Sequence, residues 1–290
     1  MKKTVLFGAG QAGAMAARLL GGDYAAVCFA DNAPEKRGGS LAGLPIVSPE
    51  EALALGPDCV CLCVLDAERA SQIEAQLRAL GYAGPLLRAG ELAPFDARAA
   101  TMRLLAEQIL ELGIPGDAAE LGIPGDAAEL GVFRGEFAAL INAALPERRL
   151  HLFDTFEGFH AEDVEEERRL GLSRARTGDF ADTDVEAVLR RLPHPERAVI
   201  HAGRFPATFE PCVELSFSLV SVDADLYAPT AAALPLFWER LSPGGALLVH
   251  DVNGFQYAGA GRAVREFCAE RGVFPTPLCD MHGSVLLRKH

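Results

Sequence analysis

No apolar run in this 290-residue chain approaches the roughly 20 residues that a helix needs to cross a bilayer. The N-terminal stretch does not read as a secretory leader either. Two lysines precede the apolar stretch of Met1-Lys-Lys-Thr-Val-Leu-Phe-Gly-Ala-Gly10, but glycines end it early and no small-residue cleavage site follows. The reading is a first strand and a cytoplasmic protein with no membrane span. Basic charge is also short. Lys and Arg total 27 against 40 Asp and Glu, a formal net charge of −13. That leaves no basic stripe of the kind a nucleic-acid surface needs. The seven cysteines lack zinc-type spacing. Cys59, Cys61 and Cys63 alternate along a Val/Leu-rich run and share one face, as buried thiols in a reducing compartment do.

What is present is compatible with an ordinary soluble enzyme. Half the residues are hydrophobic, and 29 glycines supply turns. Strand-like runs at 3–7, 25–30, 58–64 and 85–87 alternate with helical patterns at 12–20 and 68–80. A second series places strands at 150–153, 198–201, 218–222 and 246–250, helices at 229–240 and 261–271, and a hairpin at 277–288. Alternation of this kind predicts α/β architecture with parallel sheets. The expected division is a Rossmann-like nucleotide-binding or docking domain over 1–98, a linker helix and connector over 99–128, and a second domain over 129–290. In the connector, Glu111-Leu-Gly-Ile-Pro-Gly-Asp-Ala-Ala119 recurs unchanged at 120–128, and a third copy begins at Glu129. Repeats this short and few make no solenoid. Only the third copy runs on into a helical pattern, so the functional turn is expected there.

Each half opens with a glycine turn followed by an acid at the end of the next strand. The first is Gly8-Ala-Gly-Gln-Ala-Gly13 with Asp31, which fits the dinucleotide fingerprint. The second is Glu129-Leu-Gly-Val-Phe-Arg-Gly135 with Asp154, which lacks that fingerprint and carries an acid just before its first glycine. A pyrophosphate is repelled by such an acid, whereas an ammonium or a sulfonium is attracted. Asp154 is placed to accept from ribose hydroxyls. Together these point to S-adenosylmethionine rather than NAD. Asp223, His250 and Asp251 follow predicted parallel strands, at the sheet edge where α/β proteins bind ligands. They could converge on one divalent cation, Mg²⁺ or, with the imidazole, a softer ion. The charge run 162–169 reads as a solvated helix face, with a mobile lid as the alternative.

These residues carry a resemblance. Residues from about 101 to 290 resemble the macrocin O-methyltransferase (TylF/MycF-like) family through Ala128-Glu-Leu-Gly-Val-Phe-Arg-Gly135, Leu152-Phe-Asp-Thr-Phe-Glu-Gly-Phe159, Thr177-Gly-Asp-Phe180, Ala202-Gly-Arg-Phe-Pro-Ala-Thr208, Val222–Tyr227, Leu241-Ser-Pro-Gly-Gly245 and Val249-His-Asp251. The resemblance implies a class I methyltransferase fold, seven-stranded with the last strand antiparallel. It also implies methyl transfer to a hydroxyl of a sugar, glycan or sugar-bearing metabolite, Mg²⁺ assistance and a homo-oligomer. By position, Glu129, Gly131, Gly135, Asp154, Thr155 and Asp223 are expected at the cofactor. Gly178, Asp179 and Phe180 are expected near its adenine, and Asp223 and Asp251 at the metal. The family has two acids where this chain has His250-Asp251. His250 and His282 are the candidate general bases.

The first half resembles the small Rossmann-like domains of sugar-modifying enzymes, including the nucleotide-sugar-binding unit of PglD-like acetyltransferases. That likeness rests on the glycine turn, Asp31-Asn32 and Ile46-Val-Ser-Pro-Glu-Glu51. Gly8, Gly10, Gly13 and Asp31 form its expected nucleotide or NAD site. No hydride-transfer residues are visible, and the second mononucleotide half is missing. An NAD(P)-dependent oxidoreductase and a non-catalytic nucleotide-binding scaffold are the competing readings.

Overall fold

The computed structural model describes residues 2–20, 24–92, 97–111, 122–254, 256–280 and 283–290. It divides into two compact units, Met1–Asp96 with Cys279–His282, and Ala97–Leu278 with Gly283–His290. Among the described residues no helix is long and apolar enough to cross a membrane.

The first unit runs β1 (Lys2–Phe7), α1 (Gln11–Leu19), β2 (Tyr24–Ala30), β3 (Ser40–Leu41), β4 (Leu44–Val47), α2 (Pro49–Ala54), β5 (Cys59–Leu62), α3 (Ala67–Ala79), β6 (Leu86–Arg88) and α4 (Ala89–Leu92). Its six-stranded sheet has the order β3-β4-β2-β1-β5-β6 and is parallel apart from the β3–β4 hairpin. The sequence pattern misses β3 and β4 because each is too short to show a period. The Val-Ser-Pro-Glu-Glu stretch explains itself in the structure. Ser48 Oγ accepts from the Glu51 amide at 3.2 Å, Glu51 Oε2 accepts from the Ser48 amide at 2.8 Å, and this capping box starts α2.

The second unit runs α5 (Ala97–Glu111), β7 (Asp126–Leu130), α6 (Glu136–Ala144), β8 (Leu150–Asp154), α7 (Ala161–Arg169), α8 (Val185–Arg191), β9 (Ala198–Ala202), β10 (Phe217–Val222), α9 (Tyr227–Arg240), β11 (Leu241–Val249), α10 (Ala258–Arg271), β12 (Thr276–Pro277) and β13 (Val285–Arg288). The seven strands lie in the order β12-β13-β11-β10-β7-β8-β9. All neighbours are parallel except at β13, which is antiparallel to both β11 and β12. Both faces of the central strands are covered, so β10 is buried at every residue. One face packs Phe153, Phe205, Phe209, Phe217 and Phe237 around edge-to-face and stacked rings. Each such buried ring contributes roughly 1.5–3 kcal/mol by area.

Residues 99–128 are not a connector throughout. α5 buries Met102, Leu105, Ala106 and Ile109 in the core beneath the sheet, and the end of the second nonapeptide copy is the strand β7. The Asp126-Ala-Ala128 letters of that copy run into β7, which pairs with β8 on one side and β10 on the other. Residues 112–121, which hold most of the first copy, lie outside the described residues.

Candidate active site

The carboxyl ends of β7, β8, β10 and β11 meet at one edge of the second sheet. The chain can approach itself closely there because of Gly131. Its φ is +82°, and a Cβ on it would lie 2.0 Å from the Asp223 carbonyl oxygen. The Gly131 amide donates to the Phe153 carbonyl at 2.9 Å, and the Asp223 amide to the Leu130 carbonyl at 2.8 Å. Gly135, also left-handed, starts α6 with no side-chain cap.

Asp154 ends β8 and holds this turn from below. Its Oδ2 accepts from the amides of Val132 at 2.7 Å and Phe133 at 2.9 Å, and its Oδ1 accepts from Phe156 at 2.8 Å. Three of the about four acceptor positions of the carboxylate are thus used by backbone. Thr155 is turned away from a ligand role and onto its own loop, accepting from the Glu157 amide at 3.2 Å and donating to the Gly158 carbonyl at 2.7 Å. Gly178 and Asp179 are tied to Phe159 through their backbones. Phe180 stands 41% exposed against Phe133 and Phe159, with ring centroids 5.3 and 5.2 Å away. Tyr257 closes this aromatic group.

The polar centre lies on the α5 side of β7 and β10. Register places Ser221 beside Glu129 and Val222 beside Leu130. Alternation along β10 then puts Asp223 on the same face as Ser221. Arg98, from the first turn of α5, bridges them. Its Nη1 donates to Asp223 Oδ2 and its Nη2 to Ser221 Oγ, both at 2.8 Å, and the guanidinium lies 3.8 Å from the centre of the Phe137 ring. The His250 amide donates to the Val222 carbonyl, which aligns His250 with Asp223 across β10 and β11. His250 Nδ1 is 2.9 Å from Asp223 Oδ1 and 3.2 Å from Asp251 Oδ2.

Charge is distributed unevenly in this centre. Burial works against the charged imidazole of His250, but Asp223 and Asp251 outweigh it and lift its pKa to about 10. A pKa near 10 favours the imidazolium at neutral pH, the form of His250 that donates hydrogens to Asp223 and Asp251 rather than accepting one. Burial opposes the charge of Asp223 too, yet His250 and Arg98 hold it well below the usual carboxylate range. Asp225 goes the other way. Burial and the neighbouring charges of Asp223 and Asp251 raise it well above that range. Glu129 is 1% exposed, burial raises its pKa far above the ordinary value, and its Oε2 has no hydrogen-bond partner among the described residues. Asp225 and Asp251 have φ of +57° and +55°, and Phe133, Phe156 and Phe180 are also left-handed. Backbone strain in non-glycine residues gathers at sites where geometry matters more than stability.

Asp223, His250 and Asp251 each offer one donor atom within 4.8 Å of the others. A shared ion is sterically feasible, but it competes with the His250 proton and with the Arg98 contact on Asp223. The nitrogen donor suits a borderline ion better than Mg²⁺. His282, the other expected base, lies outside the described residues. Arg98, Ser221 and Asp225 are site residues that sequence reasoning missed. Asp225 stands in the quoted Val222–Tyr227 motif, but nothing in the motif separates its raised pKa from the lowered one of Asp223.

Comparison with known proteins settles the class. Residues 64–288 match the macrocin-O-methyltransferase (TylF) family, so the match begins within the first unit and takes in nearly all of the second. The chain belongs to that family. It is an S-adenosylmethionine-dependent O-methyltransferase. Solved structures with the same fold include the O-methyltransferase NovP, 22% identical with a TM-score of 0.50 over 67% of this chain and 79% of that one. They also include the calicheamicin methyltransferase CalS11, 22% identical with a TM-score of 0.51 over 75% and 84%. No protein of curated function matched in sequence. The family assignment gives the strand-end cluster its context: the methyltransferase has its glycine turn, its β8 acid and its carboxylates on one sheet edge.

In the first unit the methyltransferase repeats the same local device. Asp31 Oδ2 accepts from the Ala9 amide at 2.8 Å and from Lys36 Nζ at 3.0 Å, and its Oδ1 accepts from the Ala33 amide at 2.9 Å. Gly8 has φ of +114°, Gly10 has open space where a Cβ would be, and a Cβ on Gly13 would meet the Gly8 carbonyl at 2.0 Å. The three glycines thus supply a left-handed turn, open space and a close backbone approach.

Proposed function

We propose that the second unit binds S-adenosylmethionine over the Gly131 turn and transfers its methyl group to a hydroxyl of a sugar-bearing small molecule. The observation that carries this reading is the buried Glu129 Oε2 without a donor. A buried acceptor of that kind is costly unless a ligand supplies the hydrogen bond. The methionine ammonium supplies it and brings the positive charge that lets Glu129 ionise. Asp154 keeps one acceptor position for a ribose hydroxyl while it braces the turn. The half-exposed Phe180 and its neighbours provide a flat apolar surface for adenine.

The sulfonium is already activated, so the protein's main task is in-line placement of the acceptor oxygen and exclusion of water. His250, held as an imidazolium, and Arg98 fix Asp223 and Asp251 in position. With His250 charged, we assign Asp251 as the group that accepts the hydrogen of the acceptor hydroxyl. The sugar class is the acceptor expected of the family. Calorimetry with S-adenosylhomocysteine tests the pocket. Wild type binds, Asp154→Ala loses binding, and Glu129→Gln weakens it at least tenfold. Equal affinity in all three proteins overturns the assignment.

A divalent cation is a second reading, supported by the three donors within 4.8 Å. Asp223, His250 and Asp251 would hold it, and its chemistry is to lower the pKa of a bound hydroxyl. Transfer abolished by EDTA and restored by a metal supports it, and EDTA-resistant transfer rules it out. For the first unit we infer a nucleotide or nucleotide-sugar docking role from the Gly8–Asp31 arrangement. Fluorescence titration with NADH separates this from an oxidoreductase role, which requires tight NADH binding.

A further inference from the structure

A second set of metal-type donors lies on the opposite sheet face from Arg98, among the residues that pack with Phe153. His151 is the second residue of β8 and His201 the fourth of β9, while Cys212 ends the short 3-10 turn Ala207–Cys212 that leads to β10. His151 Nδ1 is 2.9 Å from His201 Nε2, and Cys212 Sγ is 3.6 Å from each of these nitrogens. The ring centroids are 5.2 Å apart with planes 17° from parallel, so the imidazoles meet edge to edge, nitrogen to nitrogen. His151 is 3% exposed and Cys212 0%. His201 is more open, which leaves a way in.

A tetrahedral zinc ion with Zn–N about 2.0–2.1 Å and Zn–S about 2.3 Å separates its ligands by about 3.3 Å (N to N) and about 3.6 Å (N to S). The two sulfur separations already match. The nitrogen pair is a few tenths of an ångström short, the span of a hydrogen bond between them. Asp126 Oδ2 lies 3.2 Å from His151 Nε2. A carboxylate only accepts, so Nε2 carries the hydrogen and Nδ1 turns its lone pair to the cluster. An outer carboxylate that fixes a histidine in this way is the usual second partner of a metal-bound imidazole. Burial pushes the Cys212 thiol up to about 11 and lowers His201. An apolar wall of Phe153, Phe209 and Phe217 surrounds it.

We propose that His151, His201 and Cys212 form a zinc site that ties β8, β9 and the turn before β10 together, with water in the fourth position. Thiolate and imidazole together select Zn²⁺ over Mg²⁺. On binding, three bonds form: zinc to His151 Nδ1, to His201 Nε2 and to Cys212 Sγ. The thiol proton leaves to solvent, and the His201 ring proton moves from Nε2 to Nδ1. No electron changes hands.

Cobalt(II) added to chelator-stripped full-length protein reads this site directly. The expected result is a near-ultraviolet thiolate-to-cobalt charge-transfer band with strong visible tetrahedral bands, saturating at one ion per chain and displaced by zinc. The carboxylate trio of the active site has no sulfur and cannot give that band. Cys212→Ser removes it, and His201→Gln weakens cobalt binding at least tenfold. Absence of the band in wild type, or its survival at full strength in Cys212→Ser, overturns the proposal. Far-ultraviolet circular dichroism checks that each variant folds. If Cys212→Ser does not fold, His201→Gln decides, and an unchanged cobalt affinity there overturns the proposal as well.

Discussion

Arg98 and Asp223, 125 positions apart in sequence, form an ion pair at 2.8 Å that joins the first turn of α5 to the end of β10. The pair is what makes α5 part of the site rather than a tether to it. Arg98 is 6% exposed and sits over the Phe137 ring, so the guanidinium is held by packing as well as by charge. The same contact fixes one oxygen of Asp223 while His250 takes the other.

Arg98→Met tests this arrangement. Removing one member of a buried pair leaves an uncompensated charge, a loss of about 3–5 kcal/mol when burial is complete. Asp223 keeps its His250 partner and some exposure, so a loss near 3 kcal/mol is expected, with S-adenosylmethionine affinity falling in parallel. Urea denaturation gives the first quantity and calorimetry the second. A change in stability within about 0.5 kcal/mol, typical of ordinary surface substitutions, shows the pair to be incidental.

Gly131→Ala and Gly178→Ala make a matched comparison. Both glycines have φ near +80°, +82° and +81°, so alanine is strained at either place. At Gly178 nothing lies within 4 Å of the added Cβ, and the cost is the left-handed backbone alone, about 1 kcal/mol. At Gly131 the Cβ runs into the Asp223 carbonyl and must part β7 from β10. Gly131→Ala is expected to lose cofactor binding and several kcal/mol, while Gly178→Ala stays folded and binds within about tenfold of wild type. Similar thermal shifts in the two variants contradict this.

The sheet and the glycine turns were legible because they depend on local patterns. Val-rich runs at fixed spacing give parallel strands, and Gly131 and Asp154 stand a strand and a helix apart. The internal use of Asp154 and Asp31 was not legible. Each accepts from backbone amides of its glycine turn and of its own loop, a role that depends on loop shape. Arg98 was hidden by its position at the boundary between the first domain, read as 1–98, and the linker that follows it. His151 and His201 carry no spacing signature, since they stand 50 positions apart and the pairing of β8 with β9 brings them together, while Cys212 arrives on the turn before β10. The charge state of His250 was the least readable, because it depends on two carboxylates reached from different strands.

The charge run over α7 gives a further prediction. Its exposed face is solvated as expected, but Asp163, Val164 and Glu167 are buried. Arg204 donates to Asp163 at 2.8 Å, and Glu167 Oε2 accepts from the Tyr227 amide at 2.8 Å, at the uncapped start of α9. These contacts pin the helix, against a freely moving lid. Glu167→Ala removes that cap and is expected to cost about 1–2 kcal/mol. Trypsin cleavage after Arg168 and Arg169 should accelerate several-fold in the variant. Equal cleavage rates return α7 to the lid reading.

The buried Glu129 makes stability depend on pH in a direction opposite to most acids. In the unfolded chain its carboxyl titrates near the ordinary value of about 4.3, and in the folded chain burial raises it well above that. Between those two values the folded state holds a proton that the unfolded state has lost. The contribution to stability is therefore full below the unfolded pKa and is lost as pH rises through the folded one, by up to about 1.4 kcal/mol per pH unit. Glu129→Gln cannot titrate and keeps the buried amide uncharged. Urea midpoints from pH 5 to 8, without cofactor, should fall more steeply in wild type than in Glu129→Gln. The gap between the two proteins should widen with pH, in favour of the variant. Parallel curves mean that Glu129 is ionised in the folded protein and that Arg98 neutralises it, in which case the ammonium of the cofactor finds a carboxylate already paired.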